Sequence, residues 1–403
     1  MSAAGGPSIW MVPRRPDPDF VGRAAELAAL EGALAASGRS ALTQPASVHG
    51  LGGVGKTLLA VEYAHRHASD YDAVFWLAAE NPTTLAPAFA ELARALSLPE
   101  TGEPDQNVRI AAVLRWLEAH SRWLLVLDNA ERREDVEPFL PRRHAGHVLI
   151  TSRNPDWHPI ARAVKVRPLP RTESIELLCK GLESADAAEA DRLAEALGDL
   201  PLALAQAAAF VRETGVRFAD YREGFQTRWA EFDREQPAEP GYGRTVAVTL
   251  ALALDRLRAG GADASPAETL LARCAFYAPE RIPRELLACE FPAEATLNGA
   301  IRTLRRFSLI ETDAGFVTVH RLVQKAARDR MTPEAQADFA KDAVLNLCER
   351  FPIESYNVTT WPECRRLLDH CLYAAVHAIE RDAAATPLAE ILNRIGIHLG
   401  IFN

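Results

Sequence analysis

Between residues 20 and 170 short apolar runs alternate with longer amphipathic stretches. The runs are Ala46–His49, Ala73–Ala78, Trp123–Leu127, His147–Thr151 and Ala163–Val166. Between them Thr57–His67, Thr83–Leu96 and Asn107–His120 repeat apolar residues at the spacing of a helix with one buried face, as does "RAAELAALEGALAAS" ahead of the first run. Apolar runs without polar alternation predict strands buried on both faces, and their alternation with helices predicts a parallel sheet covered on both sides.

Beyond "PLPRT" the strand signal stops. Glu173–Leu182, Ala187–Leu197 with Gly198 as its stop, and Pro201–Thr214 with Gly215 as its stop predict three helices. "EFDREQPAEPGYG" reads as a charged linker, and Thr245–Leu257 is helical again. Ala295–Phe307 is a helix followed by "SLIET" and "FVTVH", which alternate around Asp313-Ala314-Gly315 as a hairpin does, and helices plus a hairpin make a winged helix. From Thr332 the pattern is helical. The expectation is a multidomain α/β plus all-α chain: an arm over 1–19, a P-loop parallel-sheet domain over 20–170, a helical domain over 171–232, a winged-helix domain over 233–331 and C-terminal helices over 332–403.

Composition narrows the class. The 403 residues exceed one ordinary core. A net charge of −9 gives no polycationic footprint for nucleic acid, and no apolar stretch is long enough for a membrane span. Six cysteines without a CxxC pair indicate neither a zinc ribbon nor a disulfide scaffold; reduced, mostly buried thiols in a cytoplasmic protein are expected. Five lysines against forty arginines, with much alanine, point to a GC-rich bacterial genome.

"HGLGGVGKT" supplies the first chemistry. Gly50, Gly55, Lys56 and Thr57 fit G-x-x-x-x-G-K-T ahead of a long helix. The loop glycines, Gly52 and Gly53 among them, let backbone N–H groups turn inward around an anion, and the helix N-terminus at Val54–Leu58 reinforces that concavity. Lys56 would reach the β and γ phosphates of a nucleotide, and the Thr57 hydroxyl would ligate Mg2+. Asp128, at the end of the buried "LLVLD" strand, would hold the same ion through water. The next residue is Asn129, which can orient a water but cannot take its proton, so slow hydrolysis by a weak ATPase is expected.

These residues resemble the NB-ARC signalling ATPases, part of the STAND class. "FVGR" (Phe20, Val21, Gly22, Arg23) looks like the entry motif, whose backbone contacts the adenine. "HVLITSRN" looks like the sensor strand, putting Arg153 near the γ-phosphate. "VRPLPRTESIELL" resembles the linker into the helical domain. "GDLPLALAQAA" looks like the GLPLA motif, which implies that Pro201, with Leu202 beside it, packs against the nucleotide. "VTVHRLVQ" is similar to the MHD motif, which implies that His320 touches the β-phosphate of ADP. In two places the chain departs from the pattern: Asp199 stands where the family has glycine, and Arg321 follows His320 where the family has an acid.

The resemblance implies an adenine-nucleotide switch, closed with ADP and self-associating after ATP exchange, with effector and ligand proteins as partners. Only nineteen residues precede the entry motif, so no effector domain is expected at the N-terminus. The C-terminal helices resemble the lead-in to tetratricopeptide repeats, which implies a longer native protein. The rival reading is a DNA-binding regulator. Asn298, Arg302, Arg305 and Arg306 share one face of the candidate recognition helix, while Leu297, Ile301 and Leu304 fill the other. A solvated or interdomain charged face explains them as well, and the resemblance favours it.

Overall fold

The computed structural model describes residues 7–43, 53–103, 105–143, 145–182, 186–235, 242–259, 264–289, 291, 293–313 and 315–399. The chain divides into two compact units, one of residues 1–49 and 54–169, the other of residues 50–53 and 170–403. Among the described residues no helix is long and apolar enough to cross a membrane.

The first unit is built on a parallel sheet of six strands: β1 (Ile9–Trp10), β2 (Arg39–Thr43), β3 (Ala73–Ala78), β4 (Ser121–Ala130), β5 (Ala145–Ser152) and β6 (Arg162–Lys165), in the order β1-β3-β4-β5-β2-β6. The central strand explains the unbroken apolar run: Trp123 through Leu127 are all fully buried. Trp123, Leu125 and Leu127 join Phe75, Leu77, Val148 and Ile150 in one core under α3 (Pro82–Ala90), α4 (Leu92–Ala95) and α5 (Gln106–Ala119). On the other side α1 (Ala24–Ser37) packs on β2 and β6, and α2 (Lys56–Arg66) packs on β4 and β5. The short α6 (Arg133–Val136) follows β4. Helix starts are written locally: the Asn81 and Asp105 carboxamide and carboxylate accept the N–H groups of Thr83 and Asn107 at 2.9 and 2.8 Å.

Two expectations shift here. The strand beside β5 and β6 is Arg39–Thr43, whereas the expected run Ala46–His49 lies outside the described residues. The N-terminal arm is part of the sheet: Ile9 and Trp10 pair in parallel with Ala73 and Val74. Trp10 packs edge-on against His65 of α2 at 4.9 Å, and the His65 ring bonds the Arg14 carbonyl at 2.9 Å. Two adjacent apolar residues carry no period, which is why the pattern alone does not expose this strand.

Trp123 donates its indole N–H to the Leu117 and His120 carbonyls, each at 2.9 Å. The neighbouring strand makes room for the ring with Gly146. A Cβ there would overlap the Trp123 indole and stand 2.6 Å from the Trp123 carbonyl oxygen. Gly146→Ala is therefore expected to destabilise the first unit by about 1–3 kcal/mol, the cost of overpacking a closed core, read from the urea midpoint.

The second unit opens with α7 (Arg171–Cys179), α8 (Ala187–Ala196), α9 (Pro201–Thr214) and α10 (Phe218–Glu235). The expected linker beginning at Glu231 is corrected in its first half: α10 continues to Glu235. Its charges support the helix, since Arg217–Asp220 and Arg228–Glu231 pair at i,i+3. After α11 (Tyr242–Ala259) and α12 (Ala264–Cys274), β7 (Ile282–Pro283), β8 (Glu311–Asp313) and β9 (Phe316–Thr318) form an antiparallel sheet in the order β7-β9-β8. α13 (Arg284–Ala288), α14 (Glu294–Arg306) and α15 (Arg321–Asp329) pack around it, and α16 (Pro333–Arg350), α17 (Trp361–Glu380) and α18 (Ala385–His398) follow.

One apolar core runs from Val246 of α11 through Leu297 and Leu304 of α14 and Val317 of β9 to Leu347 of α16, Leu367 of α17 and Ile391 of α18. Buried polar groups stitch it together. Asn346 of α16 donates to the Tyr277 hydroxyl and the Leu286 carbonyl, both at 2.7 Å. His370 of α17 bonds the Arg281 carbonyl at 3.3 Å. The six cysteines are free; Cys274, Cys364 and Cys371 are buried, Cys179 and Cys348 half-buried and Cys289 exposed.

Candidate functional site

The site grows from the carboxyl edge of the sheet. β4 delivers Asp128 there, only 2% exposed. Its Oδ1 accepts the Thr57 hydroxyl at 2.9 Å and also the Thr151 hydroxyl at the end of β5. Thr57 is the second residue of α2, whose N-cap is Gly55. Gly53 and Gly55 take φ values of 119° and 89°, which side chains rarely adopt, so the loop needs glycine at both. Val54 and Lys56 are buried, whereas Thr57 and Leu58 are half-buried. Gly50 and Gly52 fall outside the described residues.

Asn129 answers to geometry before chemistry. It stands at φ 61°, in the left-handed region, where the β4–β5 register slips between Leu127 and Ala130. Its N–H donates to the Thr151 hydroxyl at 2.8 Å. Asparagine is among the few residues that tolerate this conformation. Asn129→Ala is expected to cost about 1–2 kcal/mol of stability for that reason and Asn129→Gly clearly less, measured by chemical denaturation.

Thr151 was not among the residues singled out from the sequence, yet it joins Asp128 and Asn129 through one hydroxyl. The available signal was position alone: "ITS" ends a buried strand at the same edge as "LLVLD". Ser152 donates to the Ala130 carbonyl at 2.5 Å and so clamps the same two strand ends. Arg153 follows directly and is half-buried at this edge.

The FVGR segment reaches the glycine loop through a side chain. Phe20 is half-buried with the Arg66 guanidinium over its ring at 5.7 Å, and Val21 is buried. Gly22 and Arg23 are both left-handed, and Arg23 is the N-cap of α1. The Arg23 side chain is 4% exposed and donates to the Val54 carbonyl of the phosphate loop at 2.8 Å. Sequence reading assigned this residue a backbone role; the structure adds a side-chain one.

In the second unit Pro201 is the first residue of α9, with a half-buried Leu202 beside it. The turn before it is left-handed at Gly198 and Asp199. That accounts for the departure from glycine: aspartate tolerates the conformation, and Arg171 grips its carboxylate through Nε at 2.8 Å and Nη2 at 3.0 Å. The bonds to Asp199, and then to Asp191, raise the Arg171 pKa, so the guanidinium stays charged. His320 is the N-cap of α15, its Nδ1 accepting the Leu322 N–H at 3.2 Å. An accepting Nδ1 places the proton of the neutral ring on Nε2. The same unit takes in Gly53, where a Cβ would lie 3.1 Å from Leu322, 3.9 Å from His320 and 4.0 Å from Leu202.

The basic face of α14 is engaged in part within this unit, with Arg302 and Arg305 exposed. Arg306 pairs with Glu213 of α9, and Asn298 accepts from Arg284. Leu297, Ile301 and Leu304 are buried as the pattern predicts.

A parallel sheet with a glycine loop feeding a helix, and an acid at the end of a buried strand beside that helix, define a P-loop NTPase fold. Within it, residues 26–187 match the family model described as the NB-ARC domain. Residues 262–336 match a family described only as a domain of unknown function, DUF7779. The chain is 24% identical, over 96% of its length, to 42% of a nucleotide-binding leucine-rich repeat (NLR)-like protein of Hyaloscypha variabilis. Over 34% of its length it is 36% identical to 14% of the regulatory protein AfsR of Streptomyces coelicolor. It thus spans less than half the length of these curated relatives. Among solved structures, a STAND protein with a tetratricopeptide repeat sensor from Pyrococcus horikoshii shares the fold with a TM-score of 0.57 at 15% identity, covering 96% of this chain and 60% of that one.

Proposed function

We propose that the chain is an adenine-nucleotide-dependent conformational switch with slow ATP hydrolysis. It rests closed on ADP and, after exchange for ATP, opens and self-associates. The observation that carries this reading is the Thr57–Asp128–Thr151 cluster at the mouth of the glycine loop. A hydroxyl and a carboxylate 2.9 Å apart are hard oxygen donors of the kind Mg2+ takes, with water and phosphate completing its shell. The ion, when bound, would neutralise phosphate charge. Lys56 would hold the β and γ phosphates and Arg153 would meet the γ-phosphate. Asn129, lacking a basic atom, would orient water without deprotonating it.

Phe20, Val21 and Arg23 would frame the base, and Pro201, Leu202 and His320 would close over ADP. Gly53 packs with Leu322, His320 and Leu202 within the second unit, which supports that grouping. Moving such an equilibrium from 1:99 to 99:1 needs about 5.5 kcal/mol of differential binding. A charge-assisted contact contributes about 1.5–3 kcal/mol, so His320 acts together with other contacts rather than alone. Effector and ligand proteins are the partners this class of switch would take. For the DNA-binding alternative α14 keeps the exposed Arg302 and Arg305 on that face, while Arg306 and Asn298 are engaged with Glu213 and Arg284.

Light scattering after size separation tests the switch. A monomer with ADP and a larger species with a non-hydrolysable ATP analogue are expected; one mass in both states overturns the proposal.

A further inference from the structure

The Arg23 side chain touches two stretches that the nucleotide chemistry does not by itself connect. Nη2 donates to the Val54 carbonyl inside the phosphate loop at 2.8 Å. Nη1 donates to the Arg167 carbonyl, in the segment that leaves β6, at 2.6 Å, and to Glu26 at 2.8 Å. Arg167 lies two residues before Leu169, the last residue of the first unit. The guanidinium is 4% exposed and Glu26 is 18% exposed, so the pair is largely withdrawn from water and its bonds have little competition. The backbone is specialised to place it: consecutive left-handed residues at Gly22 and Arg23 turn the chain into α1, and the Arg23 carbonyl starts that helix by accepting the Leu27 N–H at 2.9 Å.

From this geometry we infer that Arg23 is a positioning residue that couples the phosphate loop to the segment leading out of the first unit. The inference rests on the proposed nucleotide reading and adds its regulation. A planar fork bonded to both carbonyls fixes their separation. The Val54 carbonyl can move on loop closure only if the Arg167 carbonyl follows or one bond breaks. Filling the loop with phosphate would then tighten residues 165–171, and emptying it would loosen them. Lysine could keep the charge beside Glu26 but not the fork, because its three donors radiate from one nitrogen.

Hydrogen exchange with and without saturating Mg-ADP, on the full chain, tests this. In the wild type, ADP is expected to slow exchange at least tenfold both at the start of α2 and in a peptide covering 165–171. In Arg23→Gln, ADP is expected to bind about tenfold more weakly. At saturation the variant should still protect the start of α2 while protection of 165–171 is lost. Arg23→Lys should show the same uncoupling, and it serves as the reporter if the glutamine variant fails to fold. Protection of 165–171 that persists in the folded variant at saturating ADP overturns the coupling, as does a wild type that binds ADP without protecting 165–171. A wild type that binds no ADP overturns the nucleotide reading, and the coupling with it.

Discussion

Lys56→Ala is expected to strip the protein of bound nucleotide. Lys56 is the first residue of α2, 7% exposed and directly after the left-handed Gly55, and the start of a helix favours an anion. Each charge-assisted bond from the ammonium to a phosphate contributes about 1.5–3 kcal/mol, and a lysine bridging the β and γ groups makes more than one. A loss of about two orders of magnitude or more in ADP affinity follows, read by titration with a fluorescent nucleotide analogue. Folding should survive, because alanine suits a helix start and no core residue is removed. A variant that keeps wild-type affinity would place the phosphates elsewhere.

Acidification is expected to weaken the second unit through its buried histidines. Burial pushes the His370 pKa from 6.5 down to about 4, against a smaller opposing effect of its bond to the Arg281 carbonyl. His377, one heptad further along the same helix, is lowered to about 4 by burial, with Arg328 and Arg381 adding to the shift and Glu380 opposing it. The unfolded chain therefore binds protons that the folded chain refuses. Stability is unaffected above pH 6.5, falls as the pH drops through the interval from 6.5 to 4, and levels off below the folded value. For the fully buried His370 the full penalty is about 3 kcal/mol. Denaturant unfolding at pH 7 and pH 4.5 checks it: His370→Gln, which cannot charge, should lose distinctly less stability across that interval than the wild type. Equal losses would remove His370 as the cause.

Much of the fold was legible because burial on two faces leaves an unmistakable run. Trp123–Leu127 reads as a strand buried on both faces and is one, and Pro201–Thr214 announced both its ends through proline and glycine. The glycine loop and Asp128 stand out in the sequence for a different reason, since anion binding demands residue types in a fixed order, and the fold sets Thr57 against Asp128 at 2.9 Å. What escaped has in common that it depends on distant backbone. Arg23 meets the carbonyls of Val54 and Arg167, 31 and 144 residues away, and no local pattern marks a side chain that bonds main-chain oxygen. Thr151 acts through the Asp128 it faces, which only the β4–β5 pairing reveals. The first half of the supposed linker was misread because high charge was taken for irregular chain, when i,i+3 pairs such as Arg228–Glu231 make charge compatible with a helix. Asp199 looked like a defect in a motif until Arg171 supplied its partner.

The central claim is that this chain holds an adenine nucleotide at the glycine loop. The most direct measurement is to purify the protein without added nucleotide, denature it, and identify what is released by ion-exchange chromatography. Near-stoichiometric ADP is predicted for the wild type and almost none for Lys56→Ala. A wild type that releases no adenine nucleotide, and takes up none when Mg-ADP is supplied, would contradict the account.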